Sequence, residues 1–247
     1  MNITIVLPTY NEEKNIENLL RQLNQIRVPG YSLSVLIVDD NSPDGTGERV
    51  NAFMKQYSNV YLLSRVSKLG IGSAYVAGFV YAIETLKADY ILQMDADLSH
   101  SPEYIPMLIA KLADGYNVVI GSRYTQGGSV AKDWPKIRYM NSKICNYWTK
   151  WILSLHSVKD RTAGFKIIDA AFIRNMQLSN FFTPNYSFQI ALLYALYLQN
   201  ARIVEVPIVF RQRSQGYSKM RPLDTIELLW HAIRLRNMQK GRLLYEC

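Results

Sequence analysis

Four short apolar runs, each followed by a stretch of helix length, and a fifth that closes the series constrain this chain more than any other feature. "ITIVL" precedes a helical pattern at 11–26, "LSVLIVD" one at 44–57, "VYLLS" one at 71–87 and "YILQMD" one at 102–113, and "NVVIGS" follows. Runs this apolar on both faces, joined by helix-length connections, predict a mainly parallel sheet flanked by helices, an α/β fold. Sheets of this kind bind ligands beyond the carboxyl ends of their strands. The polar clusters fall there: "PTYNEE" after the first run, "DDNSPDGT" after the second and "DADLS" after the fourth. Neither G-x-G-x-x-G after the first strand nor G-x-x-x-x-G-K-[ST] occurs, so a Rossmann dinucleotide site and a P-loop are both unsupported.

The rest of the chain narrows the class. With 247 residues, 49% of them hydrophobic, it can bury a full core as one large domain or as a domain with an appendage. Cys145 and Cys247 are far apart, and His100, His156 and His231 lack metal-ligand spacing, which fits a reducing compartment and argues against a zinc enzyme. The start of the chain reads as a first strand and not as a signal peptide. The stretch between Arg174 and Arg202 carries no charge, but Pro184, Asn185, Gln189 and Gln199 interrupt it. Its apolar part, Ile190 to Leu198, is too short to cross a bilayer and reads as a buried helix. A formal net charge of +8 implies an anionic partner: nucleic acid, a membrane surface or a phosphorylated substrate.

Beyond residue 122 the alternation stops. Residues 136–155 form a helical pattern with Tyr139, Tyr147, Trp148 and Trp151 among Lys136, Arg138, Lys143 and Lys150. This mixture suits contact with anionic headgroups, or equally a helix packed on the sheet with a solvated basic face. A strand pair at 202–212, the basic loop "RQRSQGYSK" and a C-terminal amphipathic helix at about 222–239 complete the chain.

Asp95 and Asp97 end the fourth run two residues apart, so in an extended chain their carboxylates share a face and can hold one cation. The competing reading is a strand end followed by a helix cap, with Ser99 and Ser101 as caps and Pro102 and Glu103 in a first turn. A carboxylate-held metal, basic residues elsewhere and no evident nucleophile suggest transfer of a group from a diphosphate leaving group, with Mg²⁺ or Mn²⁺ as the ion. Asp39 and Asp40 can accept hydrogen bonds from a nucleoside's base or ribose, or can serve the turn before Asp44 and Gly45.

"VLPTYNEEKNI", "VLIVDDNSPDGT", "KLGIGSAYVAG", "MDADLSHSPE", "GSRY", "DRTAGFK" and "RSQGYSK" occur in the order of the family-2 glycosyltransferases. Together they resemble the dolichyl-phosphate (polyprenyl-phosphate) mannose synthase branch. The resemblance implies a single GT-A, Rossmann-like domain over residues 1–240. Residues 1–122 would take the nucleotide sugar and metal, and residues 123–240, with their amphipathic helices, the acceptor. Pro8, Tyr10 and Glu12 then resemble the nucleotide-binding first loop, and Val38 and Asp40 the base and ribose contacts. Asp95, Ala96 and Asp97 resemble the diphosphate and metal element, with Ser99 where relatives place a further metal-side ligand. Arg123, Arg213 and Lys219 resemble the set that binds the donor and acceptor phosphates, and Arg138 aligns with an arginine that would meet the acceptor phosphate. Ala191 stands where the family often has an acidic residue.

The implied reaction is inverting transfer of mannose from GDP-mannose to a polyprenyl or dolichyl monophosphate, giving a β-linked product. The alternative is UDP-glucose or another nucleotide sugar with a polyprenyl phosphate or saccharide acceptor. An acceptor monophosphate is largely dianionic at neutral pH and needs no side chain to deprotonate it, whereas a saccharide hydroxyl would need a general base. A nucleic acid partner is not expected, because the converging acidic motifs would repel a polyanion. The expected place of action is the cytoplasmic face of a membrane, reached peripherally or through a membrane-anchoring subunit.

Overall fold

A computed structural model of the chain describes residues 1–178, 187–212, 223–238 and 243–244. The elements run β1 (Asn2–Thr9), α1 (Glu13–Gln25), β2 (Ser32–Asp39), α2 (Thr46–Met54), β3 (Val60–Ser64), α3 (Ile71–Glu84) and β4 (Tyr90–Gln93). A 3-10 turn at Pro102–Tyr104 leads into α4 (Ile105–Ala113), then β5 (Val118–Ser122), β6 (Ser129–Val130), α5 (Lys136–Ile152) and β7 (Lys166–Asp169). The chain continues with α6 (Ala170–Arg174), α7 (Ser187–Leu198), β8 (Ile203–Pro207), β9 (Val209–Phe210) and α8 (Leu223–Asn237).

Seven strands form one sheet in the order β3-β2-β1-β4-β7-β5-β8, and β6 pairs with β9 beside it. The direction of winding reverses between β1 and β4, so the loops after these two strands part and leave a crevice there. All pairings in the large sheet are parallel except those of β7, which is antiparallel to β4 and to β5. The apolar-run pattern did not reveal this strand. It is four residues long and carries Lys166 on a buried face, so it shows no apolar run of its own.

Strand periodicity sorts the core into two layers. Val6, Leu36, Val38, Ile91, Ile120 and Ile168 pack with α3, α7 and α8 on one face, while Ile5, Leu7, Ile37, Leu92, Val119 and Ile167 pack with α1, α2 and α4 on the other. Helix α3 lies close to the sheet because Gly78 has no side chain. A Cβ there would stand 2.5 Å from Val6 Cγ1 and 2.9 Å from Val38 Cγ2. Tyr75, Phe79 and Phe188 fill the space between α3 and α7, with the Tyr75 and Phe188 rings stacked at 5.8 Å. The apolar part of the uncharged stretch lies in α7, most of whose residues are buried, as expected of a core helix. No helix among the described residues is long and apolar enough to cross a membrane.

The layer facing α7 turns polar towards the crevice. Gln93 of β4 and Lys166 of β7 are directly opposed in an antiparallel ladder, so their side chains share that face.

Candidate active site

After β4 the chain turns sharply, with Leu98 in the left-handed region at φ 63°. Asp97 is buried, and its Oδ1 accepts the Ser99 N–H at 3.0 Å, so this carboxylate does serve the turn. Asp95 is the more open of the two. Its Oδ1 and the Met94 carbonyl each lie 3.1 Å from the Tyr75 hydroxyl, which donates to them. The Asp95 N–H donates to Nδ1 of His100 at 3.2 Å. That bond leaves the imidazole proton on Nε2. Burial lowers the His100 pKa, against the pull of Asp95 and Asp97, which keeps the ring neutral. Phe165 stacks on that ring at 5.1 Å and Phe210 meets its edge at 5.2 Å.

Arg123 follows β5 and is held by Asp160. Its Nε and Nη2 donate to the two carboxylate oxygens at 2.7 and 2.6 Å, its backbone N–H adds a third bond at 2.9 Å, and Nη2 also donates to Thr162 at 2.8 Å. Burial opposes the charge on both partners, but their mutual attraction outweighs it, raising the arginine pKa and lowering that of Asp160. The guanidinium also faces the rings of Tyr124, Trp134 and Phe210 at 5.1 to 5.9 Å.

One cavity joins these groups. Its lining includes Asp95, Asp97 and Ser99 of the turn after β4, Arg123 after β5, Arg138, Ser142 and Cys145 of α5, and Leu228 of α8. Ala96 is buried between the two aspartates. Arg211, two residues before the Arg213 singled out from the sequence, also reaches the cavity. Arg213 and Lys219 lie outside the described residues.

The first two loops occupy the same edge of the sheet without lining this cavity. Thr9 and Asp39 end paired parallel strands. Asp39 is committed to the turn, accepting Thr9 Oγ1 at 2.8 Å and Ser42 Oγ and N–H at 2.6 and 2.9 Å. Asp40 lies 3.0 Å from Arg65 Nη1, close enough for an ion pair but without hydrogen-bond alignment. Burial pushes the Asp40 carboxyl up, with Arg65 pulling the other way. Glu12 is buried and accepts Asn15 Nδ2 at 2.8 Å, and its N–H donates to Thr46 Oγ1 at 3.0 Å. Tyr10 and Pro8 are partly exposed, with Lys68 Nζ 4.0 Å above the Tyr10 ring. The Val38 side chain is wholly in the core, so any contact it makes with a ligand comes from its main chain.

Among the described residues no three His, Cys, Asp or Glu side chains converge as a closed metal cage. Asp95 and Asp97 instead present hard oxygen donors on an open cavity wall. That donor set fits Mg²⁺ or Mn²⁺ completed by diphosphate oxygens and water.

Several residues of the site had no assigned role from the sequence: Asp160, Thr162, Gly164 and Lys166 of "DRTAGFK", together with His100 and Gln189. Four of the seven residues in that segment are charged or hydroxylated, which was the available signal. Lys166 is fully buried, its Nζ donates to Gln189 Oε1 at 3.0 Å, and burial lowers its pKa to about 7 against the pull of Asp160 and Asp95.

The chain as a whole is similar to known proteins. Over 220 residues the chain is 37% identical to an undecaprenyl-phosphate mannosyltransferase of Micrococcus luteus, covering 89% of this chain and 88% of that one. It is 35% identical over 219 residues to a polyprenol monophosphomannose synthase of Mycolicibacterium smegmatis, covering 87% and 80%. A dolichol-phosphate mannosyltransferase of Pyrococcus furiosus is 32% identical over 236 residues, covering 95% of this chain and 64% of the relative. In fold it resembles glucosyl-3-phosphoglycerate synthase of Mycobacterium tuberculosis, solved with Mn²⁺, UDP and phosphoglyceric acid. That likeness has a TM-score of 0.68 at 20% identity, covering 96% of this chain and 79% of that one. The sequence model of glycosyl transferase family 2 matches residues 4–178, and the chain belongs to that family.

Proposed function

We propose that this protein transfers mannose from GDP-mannose to a polyprenyl monophosphate, inverting the anomeric centre to give a β-linked lipid phosphomannose. The observation that carries this reading is that one cavity is lined by both Asp95 and Asp97 and by Arg123 and Arg138. The two aspartates would take a diphosphate and its cation, and the basic helix α5, which lines the same cavity, would take the acceptor. The names of the relatives in three organisms support the sugar and the lipid-phosphate acceptor.

Asp95 and Asp97, with Ser99 beside them, would hold Mg²⁺ or Mn²⁺, which neutralises charge on the departing diphosphate. Pro8, Tyr10, Glu12, the Val38 main chain and Asp40 would take the nucleoside, and Ala96 would lie against the diphosphate. Arg123, Arg138, Arg213 and Lys219 would bring the acceptor phosphate in line with the anomeric carbon, countering the repulsion between two anionic substrates. No general base is required, since the acceptor oxygen already carries charge at neutral pH.

The acceptor's lipid calls for contact with a bilayer surface. Helices α5 and α8 pack together, and Arg236 of α8 donates to the Ile152 carbonyl of α5 at 2.6 Å. Ile137, Met140, Ile144, Trp148 and Trp151 form an exposed stripe at helical spacing on α5, continued by Ile226, Trp230 and Ile233 on α8. Lys136, Lys143 and Arg234 flank it. An apolar face rimmed by cations suits an anionic bilayer interface, on which the protein would sit peripherally, alone or with a membrane subunit.

Turnover of a panel of GDP- and UDP-sugars with a short polyprenyl phosphate, with and without Mg²⁺ or Mn²⁺, tests the proposal. The expected result is a β-linked mannosyl phospholipid formed from GDP-mannose only when metal is present. Transfer from a different nucleotide sugar, or to a saccharide acceptor in preference to the lipid phosphate, overturns it.

A further inference from the structure

Gly164 leaves a small space open on the cavity wall, and three polar groups surround it. A Cβ built on Gly164 would lie 3.4 Å from His100 Cε1, 3.6 Å from Asp95 Oδ2 and 3.6 Å from Gln189 Nε2. Gly164, His100 and Gln189 all border the cavity that Asp95 and Asp97 line. Gln189 is 4% exposed, and its Nε2 has no hydrogen-bond acceptor among the described residues. Its direction is set from behind, because Lys166 donates to Oε1 at 3.0 Å. Either protonation state of the lysine can donate, and the ammonium can do nothing else. The amide oxygen is therefore held inward, and the NH₂ group faces the cavity. The His100 proton sits on Nε2, because Nδ1 is occupied by the Asp95 N–H.

The space thus presents the Gln189 NH₂ donor and the edge of the His100 ring beside a carboxylate acceptor. A phosphate has only acceptors, so with no cation between them it leaves the Asp95 oxygen without a donor. A hydroxyl both donates and accepts, and satisfies both kinds of partner. We propose that Gly164, Gln189 and His100 form the subsite for hydroxyl groups of the transferred sugar, with Lys166 as the positioning residue that fixes the Gln189 amide. This rests on the nucleotide-sugar reading above. In this subsite Gln189 selects among epimeric sugars, because a buried donor left without its acceptor penalises the wrong epimer.

The test compares a ligand that has the sugar with one that lacks it. Binding of GDP-mannose and of GDP, each with Mg²⁺, is measured calorimetrically, and kcat/KM is measured for GDP-mannose and GDP-glucose. Gln189→Met and Gly164→Ala are expected to lower kcat/KM for GDP-mannose roughly ten- to hundredfold while GDP binds within about twofold of wild type. Gly164→Ala meets only ordinary van der Waals contacts, so it remains informative if Gln189→Met folds poorly. Lys166→Gln, whose amide both donates and accepts, is expected to move the mannose-to-glucose ratio towards one, and Lys166→Arg to restore it. Equal weakening of GDP and GDP-mannose, or an unchanged sugar ratio in these variants, overturns the assignment. If wild type transfers a different sugar, the functional reading fails. The same contrast, made with that nucleotide sugar and its own nucleoside diphosphate, still decides the subsite.

Discussion

The buried pair of Arg123 and Asp160 allows the structural and the chemical roles of one arginine to be separated. Asp160 is 0% exposed and accepts three bonds from Arg123, all at 2.9 Å or shorter. Asp160→Asn removes the charge and turns one acceptor into a donor facing the guanidinium. An arginine left buried without its counter-charge costs roughly 3–5 kcal/mol. For a chain of this size that lowers Tm by on the order of 10 °C. Urea unfolding followed by tryptophan fluorescence measures the loss. Replacing both partners by apolar residues, Arg123→Met with Asp160→Leu, should recover most of it, since a buried ion pair contributes little net stability relative to well-packed hydrocarbon. Transfer should not recover, because the guanidinium proposed to meet a substrate phosphate is gone. A cost below about 1 kcal/mol for Asp160→Asn would refute the low-dielectric argument. A double variant that regains both stability and turnover would show that Arg123 is structural only.

Asp97→Ala is expected to reduce turnover by about a thousandfold while costing about 1 kcal/mol of stability, the value of its bond to the Ser99 N–H. Near wild-type rates with metal present would remove Asp97 from the chemistry. Lys166 holds its proton in the unfolded chain up to about pH 10 but in the folded chain only to about 7. The unfolded state therefore binds more protons between these values, and stability gains with rising pH across that window. Relative to Lys166→Met, the wild type should gain up to a few kcal/mol from pH 7 to 10; a pH-independent difference between the two denaturation curves would contradict the buried placement. Trp148→Ser with Trp151→Ser, which removes two side chains that are 50% and 54% exposed, should lower co-sedimentation with anionic liposomes and leave Tm nearly unchanged. Unchanged liposome binding would rule out α5 as the contact face. Lys143→Ala should cost far less rate than Arg123→Ala, as its ammonium is exposed and lies 3.9 Å over the Tyr124 ring.

What the order of residues determines by itself is local. Strands β1 to β5 were legible because each is an apolar run readable from its own composition, and α5 because its apolar side chains recur at helical spacing. The Asp95 and Asp97 pair was legible because a strand's two-residue period puts both on one face whatever lies around them. The turn-forming role of Asp39 is as local as its bonds to Ser42.

Only the tertiary structure decided which distant groups meet. Strand β7 enters the sheet between β4 and β5, and it brings Asp160 to Arg123 and Lys166 beneath Gln189. Read along the chain, Arg123 was a free cation waiting for a phosphate, and Gln189 was an interruption in an apolar helix. In the fold the arginine already has a carboxylate partner, and the glutamine amide is the polar tip of an otherwise buried helix, turned towards the cavity by a lysine from another strand. The physical reason is that periodicity and propensity are set by neighbours a few residues apart. A charge or an amide acquires its partner, and so its chemistry, from the low-dielectric space that sheet closure creates between segments far apart in sequence.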